Sequence, residues 1–204
     1  MDARELKIPG AWEFTPRIFP DNRGLFLEWF KDDVFRATVG QSLTLTQANH
    51  SISAKGVVRG VHFAQVPPSQ GKYVYCVAGA VLDVVIDIRV GSPTFGAWDS
   101  VLLDSVDRRA VYVSEGLGHA FLSLQDDSCV TYLCSTGYNP TGEFGTNPLD
   151  PALALPWPDD IELRVSDKDR EAPSLEQAQA AGILPNYEEC LRFYAGLRDE
   201  AATK

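Results

Sequence analysis

The chain of 204 residues lacks any apolar run long enough to cross a bilayer, and its opening, MDARELKIPG, lacks the apolar stretch of a secretory leader. A soluble, untargeted protein of the cytoplasm with no membrane partner is therefore expected. It also lacks an excess of positive charge: 18 Lys and Arg face 28 Asp and Glu, a net charge of −10. A phosphate backbone would be repelled, which argues against nucleic acid as a partner. A free nucleotide stays open, because a local cluster of Arg and Lys can hold a diphosphate inside an acidic protein. There is no C-x-x-C spacing. Cys76, Cys129, Cys134 and Cys190 lie mostly in apolar, strand-like runs and read as reduced core residues rather than a zinc site or a disulfide frame. Internal repeats and low-complexity segments are absent, and so is the G-x-S-x-G elbow of a serine hydrolase.

What is present is a succession of short β-type runs from Trp12 to Thr136, separated by Gly, Pro, Asp and Asn: WEFTPRIF, GLFLEWF, SLTLTQANHSIS, GVVRGVHF, KYVYCVAG, AVLDVVIDI, WDSVLL, RAVYVS, HAFLSL and SCVTYLCST. This spacing predicts an antiparallel sandwich or barrel, an all-β domain with a core over about 12–136. Helix is confined to DDVFRA and the end of the chain. There Ser174 precedes LEQAQAAG, with Glu176 and Gln177 behind it and Gly182 as a stop, and NYEECLRFYAGLRDE reads as a last outer helix. Between them, NPTGEFGTNPLDPALALPWPDD reads as a long ordered loop, of a kind that in compact domains is often functional. One domain spans 1–204, with loop and helices over about 139–204.

The stretch TQANHSISAKGVVRGVHF carries more hydrogen-bonding groups than a plain sandwich strand needs. Gln47, Asn49 and Ser51 share one strand face, and Ala48, His50 and Ile52 the other. Arg59 and His62 would face opposite ways on a regular strand, but Gly60 between them marks a bulge or bend that brings both toward one cavity. Downstream, QGKYVYC puts Lys72 near a strand start, GLGHAFLSL puts His119 after a Gly-rich turn, and VTYLCSTGY sets Tyr132 among apolar neighbours. Each is a proton-transfer or anion-binding group placed at a strand. A catalytic metal would want about three ligands, typically as His-x-His with a carboxylate, and GVHFAQ offers one His, so no metal is expected.

On PRIFPDNRGLFLEWF, NHSISAKGVVRGVHF, GKYVYCVAGAVLDVVIDIRVGSPTFGAWDSV, VSEGLGHAFLSL, TYLCSTGYNP and VSDKDR, the chain resembles the dTDP-4-dehydrorhamnose 3,5-epimerase family of cupin-like jelly rolls. The resemblance implies a jelly-roll barrel with a few short helices, and epimerisation of a dTDP-linked 4-keto-6-deoxyhexose without metal or other cofactor. It also implies a homodimer whose exchanged N-terminal strands lend residues to the neighbouring site. Residue by residue, His62 resembles the base, Asp169 the carboxylate orienting it, Lys72 the cation over the enolate oxygen and Tyr132 the acid on the opposite ring face. Arg23, Arg59 and His119 resemble groups around diphosphate and sugar. Glu28, Gln47 and Asn49 resemble nucleoside contacts, Tyr138 the residue stacked on thymine, and Glu143 and Lys168 outer contacts. The chemistry is coherent. An enolate needs a fixed cation, inversion needs a donor opposite the base, and a histidine, with an ordinary pKa of about 6.5, suits the base.

The chain departs from the common family form in Gly137, which stands where a second tyrosine would precede Tyr138, and in a loop reading TNPLDPALALPWP. That loop resembles members from secondary-metabolite pathways, some of which invert one carbon. Inversion at C3, with C5 slow or untouched, is the resulting expectation. A full 3,5-epimerase, a 3,4-ketoisomerase on a related barrel and a non-enzymatic sugar-nucleotide binder are the alternatives. The last would not need base, acid and cation together.

Overall fold

A computed structural model describes residues 1–202. In chain order the elements are β1 (Asp2–Glu5), β2 (Ala11–Thr15), β3 (Ile18–Asp21), β4 (Gly24–Leu27), α1 (Asp32–Val39), β5 (Gln47–Ser53), β6 (Val57–Ala64), β7 (Lys72–Ala78), β8 (Ala80–Ile86), β9 (Trp98–Asp104), β10 (Ala110–Val113), β11 (Gly118–Ser123), β12 (Ser128–Cys134), β13 (Glu143–Gly145), β14 (Arg164–Val165), α2 (Asp167–Arg170), α3 (Leu175–Ala180) and α4 (Tyr187–Ala202). One sheet runs β1-β2-β10-β7-β12-β5, the facing sheet β13-β6-β11-β8-β9 with β14 beside β6, and β3-β4 is a separate hairpin.

Period-2 alternation builds the sandwich. On β7, Val74 and Cys76 turn to the space between the sheets, where they join Val81, Val85, Val111, Phe121 and Val130. Tyr73 and Tyr75, of the other parity, point outward and are covered by Phe14, Phe35 of α1, Trp29 and Phe30. The second sheet is likewise buried outside: Val84, Ile86 and Ala120 pack under Leu153, Leu175, Ala178 and Leu184. The proline-rich segment therefore closes a core. The Trp98 indole donates to the Leu153 carbonyl at 3.0 Å, and Asp150 caps the Leu175 N–H at 2.8 Å. From Thr146 onward the segment expected as a functional loop thus acts as a cover, since a sheet apolar on both faces needs one.

The expected helices are found, Ser174 and Gln177 forming a full capping box and Gly182 following with φ +68°. All four cysteines are free and buried. β1 was not anticipated, because its residues DARE are all exposed and carry no apolar alternation; it is held as an edge strand by pairing with β2. The run SLTLTQANHSIS is strand only from Gln47, and Ser42–Thr46 is irregular. Among the described residues, no helix is long and apolar enough to cross a membrane.

Candidate active site

One end of the inter-sheet space is polar and open. A cavity of about 420 Å³ is lined by, among others, Arg59, His62, Lys72, His119, Tyr132 and Asp169. A smaller annex of about 210 Å³ shares His62, Lys72 and Tyr132 and adds Gln47, Asn49, Tyr138, Glu143 and Lys168. Eleven of the thirteen residues singled out from sequence therefore meet in one continuous site.

The second sheet supplies a histidine paired with a carboxylate. On β11, His119 to Phe121 spans the same length as His62 to Arg59 on β6, so β6 carries an extra residue at Gly60–Val61. Gly60 has φ +120°, and a Cβ there would lie 2.6 Å from both the Ala120 Cβ and the His119 carbonyl oxygen. The bulge thus requires glycine, and it brings Arg59 and His62 to the same cavity as anticipated. His62 Nε2 lies 2.7 Å from Asp169 Oδ1. The carboxylate accepts the Nε2 proton, so Nδ1 is left as the basic nitrogen. Asp169 is fixed in turn: it sits in α2, capped by Ser166 with the Asp169 N–H donating to Ser166 Oγ at 3.1 Å. Burial pushes its carboxyl up, but the His62 hydrogen bond and charge, with Ser166 and the Gly60 backbone, outweigh this and hold it below the ordinary carboxylate value. A second dyad stands beside the first, His119 Nε2 being 2.7 Å from the fully buried Asp83.

The facing sheet supplies the other groups. Lys72 opens β7 opposite Cys134 of β12, and Tyr132 pairs with Asn49 of β5. Burial lowers the Lys72 ammonium from its ordinary value, with Cys134 and Glu143 pulling the other way. Burial raises the Tyr132 phenol, which keeps it protonated as a donor. Behind Lys72, the Gly71 N–H donates to Ser135 Oγ at 2.8 Å, and Ser135 donates to the buried Glu115 at 3.2 Å, fixing the turn that aims Lys72. Base and phenol thus stand on opposite walls. In the annex, Gln47 Oε1 accepts the Tyr138 N–H at 2.9 Å, and Glu143 Oε1 accepts that of Asn139 at 3.0 Å.

Arg23 and Glu28 are the two anticipated residues that do not line the site. Arg23 sits at the turn of the β3-β4 hairpin, hydrogen-bonded to Asp21, and Glu28 pairs with Lys31 at 3.5 Å. Conversely, the cavity includes Ser51, Phe121 and Arg164, and the annex Gln70 and Phe144, none of which was assigned a role from sequence. Ser51 shares the parity of Gln47 and Asn49, which was the available signal. Nothing local marks Arg164. Among the described residues, no three His, Cys, Asp or Glu side chains converge as a metal site would require.

The sequence and the fold have close counterparts. A family profile described as dTDP-4-dehydrorhamnose 3,5-epimerase matches residues 5–177. A protein of that description from Mycolicibacterium smegmatis is 60% identical over 198 residues, 97% of this chain and 98% of the relative. Among solved structures, the rmlC epimerase of Mycobacterium tuberculosis superposes with a TM-score of 0.95 at 58% identity, covering 97% of this chain and all of the other. ChmJ, a 3'-monoepimerase from Streptomyces bikiniensis in complex with dTDP-quinovose, does so with a TM-score of 0.93 at 47% identity, covering 95% and 98%. With the matching profile spanning most of its length and its fold shared over 97% of it, the chain belongs to the dTDP-4-dehydrorhamnose 3,5-epimerase family.

Proposed function

We propose that the protein epimerises a dTDP-linked 4-keto-6-deoxyhexose in deoxysugar biosynthesis, inverting C3 through an enolate. The observation that carries this is the placement of a carboxylate-held imidazole on one sheet and of a phenol and an ammonium on the sheet facing it. His62 Nδ1 removes the proton next to the C4 ketone. Lys72 holds the oxygen as it becomes anionic, a type of contact whose removal costs about 10²–10³-fold. Tyr132 returns a proton from the opposite face, and positioned acid–base groups contribute about 10²–10⁴-fold. Gln47, Asn49, Tyr138, Glu143 and Lys168 form the nucleoside end, and Arg59 and His119 the end toward diphosphate and sugar. dTDP-quinovose is bound in the Streptomyces bikiniensis enzyme, and dTDP-4-keto-L-rhamnose in that of Legionella pneumophila. A ketoisomerase is not favoured, the similar proteins being 3- and 3,5-epimerases.

A second reading, inversion at both C3 and C5, is favoured by the higher identity to mycobacterial 3,5-epimerases, 60% and 58%, than to the 3-epimerase of Streptomyces niveus, 52%. The loop on which the expectation of single inversion rested lines neither the cavity nor the annex, which weakens that expectation. Incubating the keto sugar in D₂O and locating label by NMR, with the product reduced in place, tests both. Label and inversion at C3 alone support the first, prompt label at both centres the second, and no label refutes an enolate.

We also propose a homodimer in which the β3-β4 hairpin is exchanged. The hairpin lies off both main sheets and exposes Phe19, Leu25 and Phe26 at 42%, 49% and 66%. The outer face of the edge strand β5 adjoins an apolar hollow of about 450 Å³ lined by Trp29, Tyr75, Val77 and Leu133. In such a dimer Arg23 and Glu28 serve the neighbouring site. Mixing inactive Arg23→Ala and His62→Asn protomers should restore turnover, because one site of the mixed dimer then has both residues; no recovery after subunit exchange counts against the exchange.

A further inference from the structure

The cavity holds three cations, Arg59, Lys72 and Arg164, and one carboxylate, Asp169, already paired with His62. None of the three cations forms an ion pair among the described residues. In a chain of net charge −10 this is a site built for an anion.

Arg164 is the cation that no sequence motif marks, and its backbone is firmly placed. It opens β14, which runs parallel to β6 with Arg164 beside Val57, and its N–H donates to the Gly56 carbonyl at 2.8 Å. A Cβ on Gly56, at φ +85°, would lie 2.2 Å from the Glu162 carbonyl oxygen, so the two segments touch backbone to backbone there. The same segment runs on into α2 and Asp169, so the contact that orients the base also fixes Arg164 at the cavity wall. The Arg164 side chain makes no hydrogen bond among the described residues, whereas the Arg59 guanidinium is tied to Ser53 Oγ at 3.1 Å. A separate observation points the same way: the Ser51 hydroxyl, on the opposite sheet but lining the same cavity, is buried with no hydrogen-bond partner. Buried hydroxyls are rarely left so unless a ligand or water completes them.

We infer that Arg164 is a further diphosphate-binding residue: with Arg59 and the Ser51 hydroxyl it takes the phosphate oxygens of the bound sugar nucleotide. This rests on the reading of the site as one for a dTDP-sugar. The planar guanidinium fork fits a phosphate edge, and two guanidiniums match the two negative charges of a diphosphate diester. A nucleoside monophosphate offers one phosphate to this pair, so Arg164 sets the preference for the diphosphate.

Calorimetry of the wild type, Arg164→Gln and Arg164→Lys with dTDP and dTMP tests the inference, since an exposed side chain can be changed without disturbing the core. Arg164→Gln should weaken dTDP about tenfold and dTMP by much less. Arg164→Lys should recover part of the loss, and the deficit should shrink at high salt. Deuterium wash-in at subsaturating substrate should fall by about the factor lost in dTDP affinity. A dTDP affinity within about twofold of wild type, or the same factor lost for dTMP, overturns the inference. So does a slower wash-in with dTDP affinity unchanged, which would place Arg164 at the sugar. Wild-type protein that fails to bind dTDP refutes the functional reading itself; tight wild-type binding with an unaffected Arg164 variant refutes this inference alone.

Discussion

Asp169→Asn and Asp169→Ala separate what the carboxylate does for His62 by charge from what it does by geometry. The bond is 2.7 Å long, and its two side chains are 9% and 40% exposed, Asp169 being the buried partner. Hydrogen bonds to charged groups contribute about 1.5–3 kcal/mol, and the exposure of His62 puts this one toward the lower figure. Asparagine keeps an acceptor for Nε2 and loses the charge that steadies the imidazolium once His62 has taken the proton. Wash-in of solvent deuterium should fall roughly tenfold for Asn, and further for Ala, which leaves the ring free to turn. Affinity for dTDP should stay within a few fold in both, because the dyad faces the sugar. Wild-type wash-in rates in both variants would refute the assignment of Nδ1 as the base held by Asp169.

The same pair makes a stability prediction of definite sign. The Asp169 carboxyl is held below its ordinary value of 3.8 in the folded protein. It therefore contributes stability that is fully present above that value and is lost as pH falls through the lower, folded one. Urea unfolding of wild type and Asp169→Asn should show a difference at about pH 5 that shrinks as the pH is taken below the carboxylate range. A difference that persists undiminished in strong acid would place its origin in packing rather than charge.

Tyr132→Phe should keep substantial deuterium exchange yet lose net inversion, because base and cation still form the enolate and the proton returns to the face it left; equal loss of both would mark Tyr132 as structural. Since burial lowers the Lys72 ammonium, the alkaline limb of kcat/KM should begin below the ordinary lysine range and move to higher pH in Lys72→Arg, and a limb that stays put removes Lys72 as its source. Gly60→Ala adds a Cβ 2.6 Å from neighbouring atoms at φ +120° and should cost at least about 2 kcal/mol in urea unfolding together with most of the activity. Prolonged chelation should leave turnover unchanged; a stoichiometric metal whose removal stops exchange would overturn the metal-free chemistry.

What could be read in the chain was local and periodic. Alternation placed Gln47, Asn49 and Ser51 on one face, and they do face the site, while His50 points outward against Cys129. Gly60 between Arg59 and His62 announced the bulge that the register confirms. The strand β1 and the cover formed by the proline-rich segment were not legible, for opposite reasons. β1 is exposed throughout and lacks apolar alternation, so nothing in its composition distinguishes a paired edge from a tail. The segment from Thr146 onward has the turn chemistry of a surface loop, and only the apolar outer faces of β8 and β11, distant in sequence, give Leu153 its partners. Arg164 belongs to the same class: its role depends on a parallel pairing with β6 more than a hundred residues earlier.

The number of carbons inverted follows from the same geometry. C3 and C5 flank one ketone, so a single ammonium at Lys72 serves either enolate, and the cation cannot discriminate between them. The base is held rigidly: His62 is tied to Asp169, and Asp169 to the first turn of α2. A fixed base reaches the second carbon only if the ring moves, and a misplacement of about 1 Å can cost on the order of 10²-fold. The side chains able to permit or block that movement are those lining the cavity, Phe121 and Tyr132 among them, together with any that the hairpin of the proposed dimer brings. The covering loop from Thr146 lines neither the cavity nor the annex, so under the proposed mechanism the count of inverted centres should depend on the cavity walls and not on the segment that most sets this chain apart from the common form of its family.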